Sequence, residues 1–235
     1  MAEVIGITAG KGGMGKTALT AAIAWDLACS GNRVLCIDCQ DGMGDLDAYL
    51  GLGQLPDLTY AEVCRGLYPL NRATPCLDHK NLHFLAAPSR DAQVTETEFE
   101  NLLRTARKEF DYILLDDPKF SLADRWILVT HANPAAIRGA RRKADSLELE
   151  GKQNIRLIVN CIDPKQMQAL GLTVDDVMDE GGLPLLGIVP LDPGVTLSCA
   201  AGKPLQSRKG AGNATERIAS RIQGIYTAIP SRLYK

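Results

Sequence analysis

Gly10-Lys11-Gly12-Gly13-Met14-Gly15-Lys16-Thr17 satisfies the pattern G-x-x-x-x-G-K-[ST], with an apolar run, Val4–Ala9, before it and a helical pattern, Thr17–Ser30, after it. Strand, glycine-rich loop and helix in that order are the context a P-loop requires. The glycines Gly10, Gly12, Gly13 and Gly15 let the backbone wrap closely around phosphate oxygens, with Met14 part of the same cradle. The free N–H groups of the first helical turn, at Thr17 and Ala18, add positive potential where the phosphates sit. Lys16 is expected to bridge the β- and γ-phosphates. Thr17 is expected to offer its hydroxyl to Mg²⁺, which prefers oxygen ligands shared between protein, water and nucleotide.

Outward from this loop, short apolar runs alternate with helical patterns. Val4–Ala9, Val34–Asp38, Leu82–Ala87, Tyr112–Asp116, Trp126–Thr130, Arg156–Asn160 and Leu185–Val189 read as strands. Thr17–Ser30, Glu96–Phe110, Ala135–Leu149, Val174–Glu180 and Asn213–Ile229 read as helices, the last with Ile218, Ile222, Ile225 and Ile229 on one face. Strands that are apolar throughout suit a parallel sheet buried on both faces. The expected fold is therefore α/β, a single doubly wound and mostly parallel sheet of the P-loop NTPase type flanked by helices. No repeat or long Pro/Gly/Ser linker divides the 235 residues, so one domain over 1–235 is expected.

Composition narrows the functional classes. Hydrophobic residues at 46% and charged residues at 23% suit a buried core rather than disorder. Lys+Arg 26 against Asp+Glu 28 gives a formal charge of -2, which is not the footprint of a dedicated nucleic-acid binder. No apolar run approaches the roughly 20 residues of a membrane span, and Met1-Ala2-Glu3-Val4 lacks the basic start of a signal peptide. A cytoplasmic protein is expected. The seven cysteines then read as free thiols, Cys36 and Cys39 of the C-x-x-C included, and His79, His83 and His131 form no ligand cluster with them. Tyr112-Ile113-Leu114-Leu115-Asp116-Asp117-Pro118 is an apolar strand ending in carboxylates, and Asp116 at such a tip beside a P-loop is the expected Mg²⁺ contact, through water.

Lys11, a second lysine inside the loop, makes the segment similar to the deviant Walker A ATPases of the MinD/ParA family. Ile37-Asp38-Cys39-Gln40-Asp41-Gly42-Met43-Gly44-Asp45-Leu46-Asp47, followed by Leu50-Gly51-Leu52, resembles the switch I region of the MinD branch. The resemblance implies that ATP binding makes a sandwich homodimer in which Lys11 reaches the partner's phosphates, and that Asp38 lies near Mg²⁺. Val159-Asn160-Cys161 with Pro164, and Ile188-Val189-Pro190-Leu191-Asp192, resemble segments that read and cover adenine, which carries Asn160, Pro190 and Asp192 over as base contacts. Two departures stand out. Gln40 replaces a carboxylate near the attacking water, so Gln40 or Asp41 is expected to orient that water and basal hydrolysis to be slow, with an activating protein partner. Pro118-Lys119-Phe120 stands where the family usually has Pro-Ala-Gly at switch II.

The function implied is a MinD-like Mg²⁺-dependent ATPase, a positional switch in bacterial cell division. The alternatives are a ParA-type partitioning ATPase, binding DNA non-specifically through Arg138, Arg141, Arg142 and Lys143, or a non-enzymatic iron–sulfur scaffold of the Nbp type using Cys36 and Cys39. Those four basic residues read first as a solvated helix face. Pro230-Ser231-Arg232-Leu233-Tyr234-Lys235 is too short for an amphipathic anchor, so peripheral membrane attachment is expected to be weak or absent.

Overall fold

The computed structural model describes residues 2–42, 44–52, 58–76, 79–201, 203 and 210–230. In chain order the elements are β1 (Glu3–Ala9), α1 (Lys16–Cys29), β2 (Val34–Asp38), α2 (Leu46–Tyr49), α3 (Tyr60–Cys64), β3 (Thr74–Cys76), β4 (His79–Leu85), α4 (Glu96–Ala106), β5 (Tyr112–Asp116), β6 (Arg125–His131), α5 (Pro134–Leu149), β7 (Ile155–Ile162), α6 (Pro164–Leu170), α7 (Val174–Gly181), β8 (Leu185–Pro190), α8 (Pro193–Ala200) and α9 (Gly210–Ile222). The strands form one sheet in the order β3-β4-β2-β5-β1-β6-β7-β8. All pairings are parallel except β3 with β4, so the mostly parallel, doubly wound expectation holds.

Side chains alternate along each strand, and the sheet accordingly separates two apolar clusters. Leu35, Ile37, Ile113, Leu115 and Leu128 pack on one face with α4, α5 and α7. Ile5, Ile7, Cys36, Leu114 and Ile127 pack on the other with α1 and α9. The C-x-x-C pair is split by the same alternation: Cys36 lies in one cluster and Cys39 in the other, both buried, with burial pushing both thiols well up. Among the described residues no group of three or more His, Cys, Asp or Glu could hold a metal. None of the described helices is long and apolar enough to cross a membrane.

Three expectations need correction. The third strand starts at His79, earlier than Leu82, ends at Leu85, and gains an antiparallel neighbour in β3, whose three residues Thr74-Pro75-Cys76 are too short and polar to register as an apolar run. The second helical pattern, α4, stops at Ala106, not Phe110. The last helix ends at Ile222. Gly224 turns the chain there with φ 80°, and Arg221 donates to the carbonyls of Leu186 and Thr227 across the turn. The four-isoleucine stripe therefore breaks: Ile218 and Ile222 are buried against β8 and α1, Ile225 is exposed, and Ile229 packs on the other face of the sheet. Met43 and Ser231–Lys235, which carried part of the switch I and anchor readings, lie outside the described residues.

Candidate nucleotide site

Central position in the sheet places the loop after β1 between the carboxyl ends of β5 and β6, where open α/β sheets bind ligands. Backbone contact fixes the loop's entry. A Cβ on Gly10 would lie 2.0 Å from the carbonyl carbon and oxygen of Gly139 in α5, so only glycine permits this approach. Gly15 caps α1 with φ 83° and faces Asn160, whose side-chain nitrogen would be 2.4 Å from any Cβ there. That nitrogen donates to the Met14 carbonyl at 2.9 Å, so Asn160, buried at the end of β7, braces the loop. His131, at the matching position on β6, is half buried. Burial holds its imidazole below the usual range, while a hydrogen bond with the Met14 backbone opposes the shift.

Polar side chains converge at the head of α1. Thr17 donates its hydroxyl to Asp116 Oδ2 at 2.7 Å, and the buried Thr20 donates to Asp116 Oδ1 at 3.1 Å. Gln40, just past β2, extends its amide nitrogen to Thr17 Oγ1 at 3.4 Å and Asp116 Oδ2 at 3.3 Å. Asp38 accepts from the backbone N–H groups of Gln40 and Leu46, at 3.0 and 3.2 Å. Lys16 pairs with Asp117 Oδ2 at 3.3 Å, and Thr8 donates to the other oxygen of Asp117 at 2.8 Å.

Three carboxylates thus crowd together, with Asp38 and Asp117 both neighbouring Asp116 and only Asp117 paired with a lysine among the described contacts. Burial pushes Asp116 up to about 6, against the hydroxyl hydrogen bonds from Thr17 and Thr20 and with the neighbouring Asp38 raising it further. Burial also raises Asp38. Crowded hard-oxygen groups that resist ionising together are what a divalent cation relieves, so Thr17, Asp116 and Asp38 fit Mg²⁺. The Gln40 amide nitrogen meanwhile satisfies two of those same oxygens.

Beside the loop, Gly15, Ala18, Asn160, Pro190 and Asp192 line one cavity of about 170 Å³ together with Leu19 and Tyr49, so the residues expected at the phosphates and at the base are contiguous. Asp192 has a local task as well: its carboxylate accepts from Gly194 at the start of α8 and from Ala211 of α9. A larger concavity of about 570 Å³, with Arg125, Arg156 and Arg221, lies at the opposite ends of the strands, away from these groups. Lys11 is exposed, its stem beside Gly139. Asp41 differs from Gln40. Its carboxylate is engaged by Tyr60, which donates at 2.8 Å, and by Lys119, so it does not face Thr17 or Asp116. On α5, Arg141 is committed to Asp145 and Glu148, which leaves Arg138, Arg142 and Lys143 to the helix face.

Thr8, Thr20, Tyr60, Asp117 and His131 were absent from the expected set. Asp117 alone carried a signal, as the second carboxylate at a strand tip; the others are reached only by contacts across the fold.

Comparison with known proteins agrees with this geometry. Residues 5–205 match the CobQ/CobB/MinD/ParA nucleotide binding domain. A septum site-determining protein MinD of Synechocystis sp. is 33% identical, over 95% of this chain and 90% of that protein. A solved MinC:MinD cell division protein complex of Aquifex aeolicus superposes with a TM-score of 0.89 at 30% identity, covering 97% of this chain and 98% of that one. The MinD cell division protein of the same organism gives 0.84 at 32% identity, over 97% and 100% of the two chains. With the P-loop, the strand-tip carboxylate and the strand order already in place, the chain belongs to the MinD/ParA family of nucleotide-binding proteins.

Proposed function

We propose that this protein is a MinD-like ATPase that dimerises when ATP is bound, separates after hydrolysis and serves as a positional switch in cell division. The observation that carries the reading is the convergence of three segments at the carboxyl ends of β1, β2 and β5, with Thr17, Gln40 and Asp116 in mutual contact and Lys16 beside them on Asp117. Its cell-division role rests on similarity along nearly the whole chain to MinD proteins, one of them in a complex with MinC.

In this reading the amides of residues 10–18 and Lys16 hold the β- and γ-phosphates through charge-assisted hydrogen bonds. Asn160 keeps an acceptor oxygen for an exocyclic amino group once its nitrogen is on Met14, which suits adenine, and Pro190 and Asp192 close the cavity over the base. Thr17, Asp116 and Asp38 would hold Mg²⁺, which would neutralise charge on the phosphates when bound. Water attacks the γ-phosphorus, the bond to the bridging oxygen breaks, and ADP leaves with that electron pair while the water's proton passes to phosphate or solvent. Gln40 orients that water through its amide. Lacking a carboxylate there, basal turnover is slow and a protein partner accelerates it. Lys11 completes the site of the second copy, while DNA binding is minor.

Calorimetry on Lys16→Ala tests the foundation. Removing the ammonium is expected to weaken nucleotide binding about a hundredfold or more, since its charge-assisted bonds to the phosphates are lost with it. Undiminished affinity would remove the reading.

A further inference from the structure

Residues Lys119 and Phe120 follow β5 directly, and both lead back to the loop after β2. The Lys119 ammonium pairs with Asp41 Oδ2. Phe120 packs against Phe99 of α4, ring centroids 5.8 Å apart, and Phe99 packs edge-to-face on Tyr60 of α3 at 5.3 Å. Tyr60 in turn donates its hydroxyl to Asp41 Oδ1 at 2.8 Å. One carboxylate is therefore gripped on both oxygens, by an ionic route and by an aromatic route, and both start from adjacent residues.

The grip matters because of what adjoins it. Gln40 precedes Asp41, and its backbone N–H is tied to Asp38 at 3.0 Å. Asp38 and Asp41 thus fix the chain on either side of Gln40, leaving the side-chain torsions as its main freedom. Asp41 is 14% exposed at its side chain and Lys119 47%, so the carboxylate, not the lysine, is the desolvated member that needs its partner. Few rotamers searched means less entropy lost when an amide must meet a water and a phosphate at once.

We propose that Lys119 and Phe120 are positioning residues, a strut from the end of β5 to Asp41 that holds the Gln40 amide where it can orient the attacking water. The proposal rests on the ATPase reading above and deepens it. Neither residue touches nucleotide in this account; each acts through Asp41 and Tyr60. Lys119 in this role differs from a phosphate-binding lysine, and the two roles separate in measurement.

The experiment compares Lys119→Ala, Lys119→Arg, Asp41→Asn, Phe120→Ala and the double variant Lys119→Ala/Asp41→Asn with the parent. Three quantities are measured: affinity for a non-hydrolysable ATP analogue, single-turnover hydrolysis, and hydrogen exchange of residues 39–42 in the nucleotide-free chain. Expected are analogue affinities within about twofold of the parent, rates lowered about three- to tenfold in Lys119→Ala, Asp41→Asn and Phe120→Ala, and a double variant no slower than the singles, as coupled groups require. Exchange at 39–42 should speed up in the slow variants and stay parental in Lys119→Arg. Weaker analogue binding in Lys119→Ala but not in Asp41→Asn would overturn the strut in favour of direct phosphate contact, and so would additive losses or unchanged exchange. A parent chain that binds no ATP would instead sink the ATPase reading, with the exchange comparison still deciding whether Lys119 orders the loop.

Discussion

The ammonium of Lys16 and the carboxylate of Asp117 stand 3.3 Å apart, with Asp117 at φ 53° and its other oxygen held by Thr8. The P-loop lysine therefore starts with an anionic partner that a phosphate must displace. Asparagine tolerates the same left-handed backbone and keeps an acceptor for Thr8, but carries no charge. Asp117→Asn is expected to tighten ATP binding about three- to tenfold, read by calorimetry at fixed salt. Equal or weaker binding would mean that Asp117 does not compete with the phosphates.

Lys11 is exposed in the single chain, which suits a group whose partner lies in a second copy. Lys11→Ala should bind the ATP analogue within about threefold of the parent yet remain monomeric by light scattering, because an intermolecular contact adds little to the affinity of one protomer. Normal dimerisation of the variant would refute the role in trans.

Gln40 bridges Thr17 and Asp116, and loss of its amide should leave nucleotide affinity within about threefold while lowering single-turnover hydrolysis about tenfold or more in Gln40→Ala. Gln40→Asp should hydrolyse faster than the parent, a carboxylate being the better water acceptor. It should also unfold more readily without nucleotide, because the new charge faces Asp38 and Asp116. A variant that is stable but no faster would show that the amide is already sufficient.

Asp26 in α1 is driven up to about 7 by burial, against a hydrogen bond from Thr215 and with Glu216 adding repulsion. The folded chain then holds a proton that the unfolded chain, near 3.8, has released. Its stabilising share is complete below about pH 4 and falls away as pH rises to about 7. Asp26→Asn should therefore stabilise the protein at pH 8 relative to the parent, by at most about 4 kcal/mol at 1.36 kcal/mol per pKa unit, and hardly at all at pH 4. Urea unfolding of both chains at the two pH values reads the difference, and an identical difference at both would contradict it.

Legibility in the sequence followed the strength of the local signal. β2 and β5 match their expected bounds because each is an unbroken apolar run ended by a carboxylate. The P-loop was plain because its glycines and lysine are consecutive. The end of α9 was not: Ile225 and Ile229 continue a helical spacing, and only Gly224 with Arg221 reaching Leu186 and Thr227 ends it. Short helices such as α3 and α8 offer one turn or two of pattern, too little to separate from loop. Tyr60 and Lys119 lie 19 and 78 residues from Asp41, so their meeting depends on strand order rather than on any motif.

The margins of the sheet bear on how copies of this chain can associate. β3 is three residues long with Pro75 at its centre, and β8 ends in Pro190 with α9 packed against it. Proline offers no N–H to a docking strand, and so short a border gives little template for one. Lateral growth of the sheet into fibres or swapped oligomers is thereby discouraged at the β3 border. In the dimer proposed above, copies meet at the loop-bearing end of the molecule, where association is governed by a bound small molecule instead of by chain concentration alone.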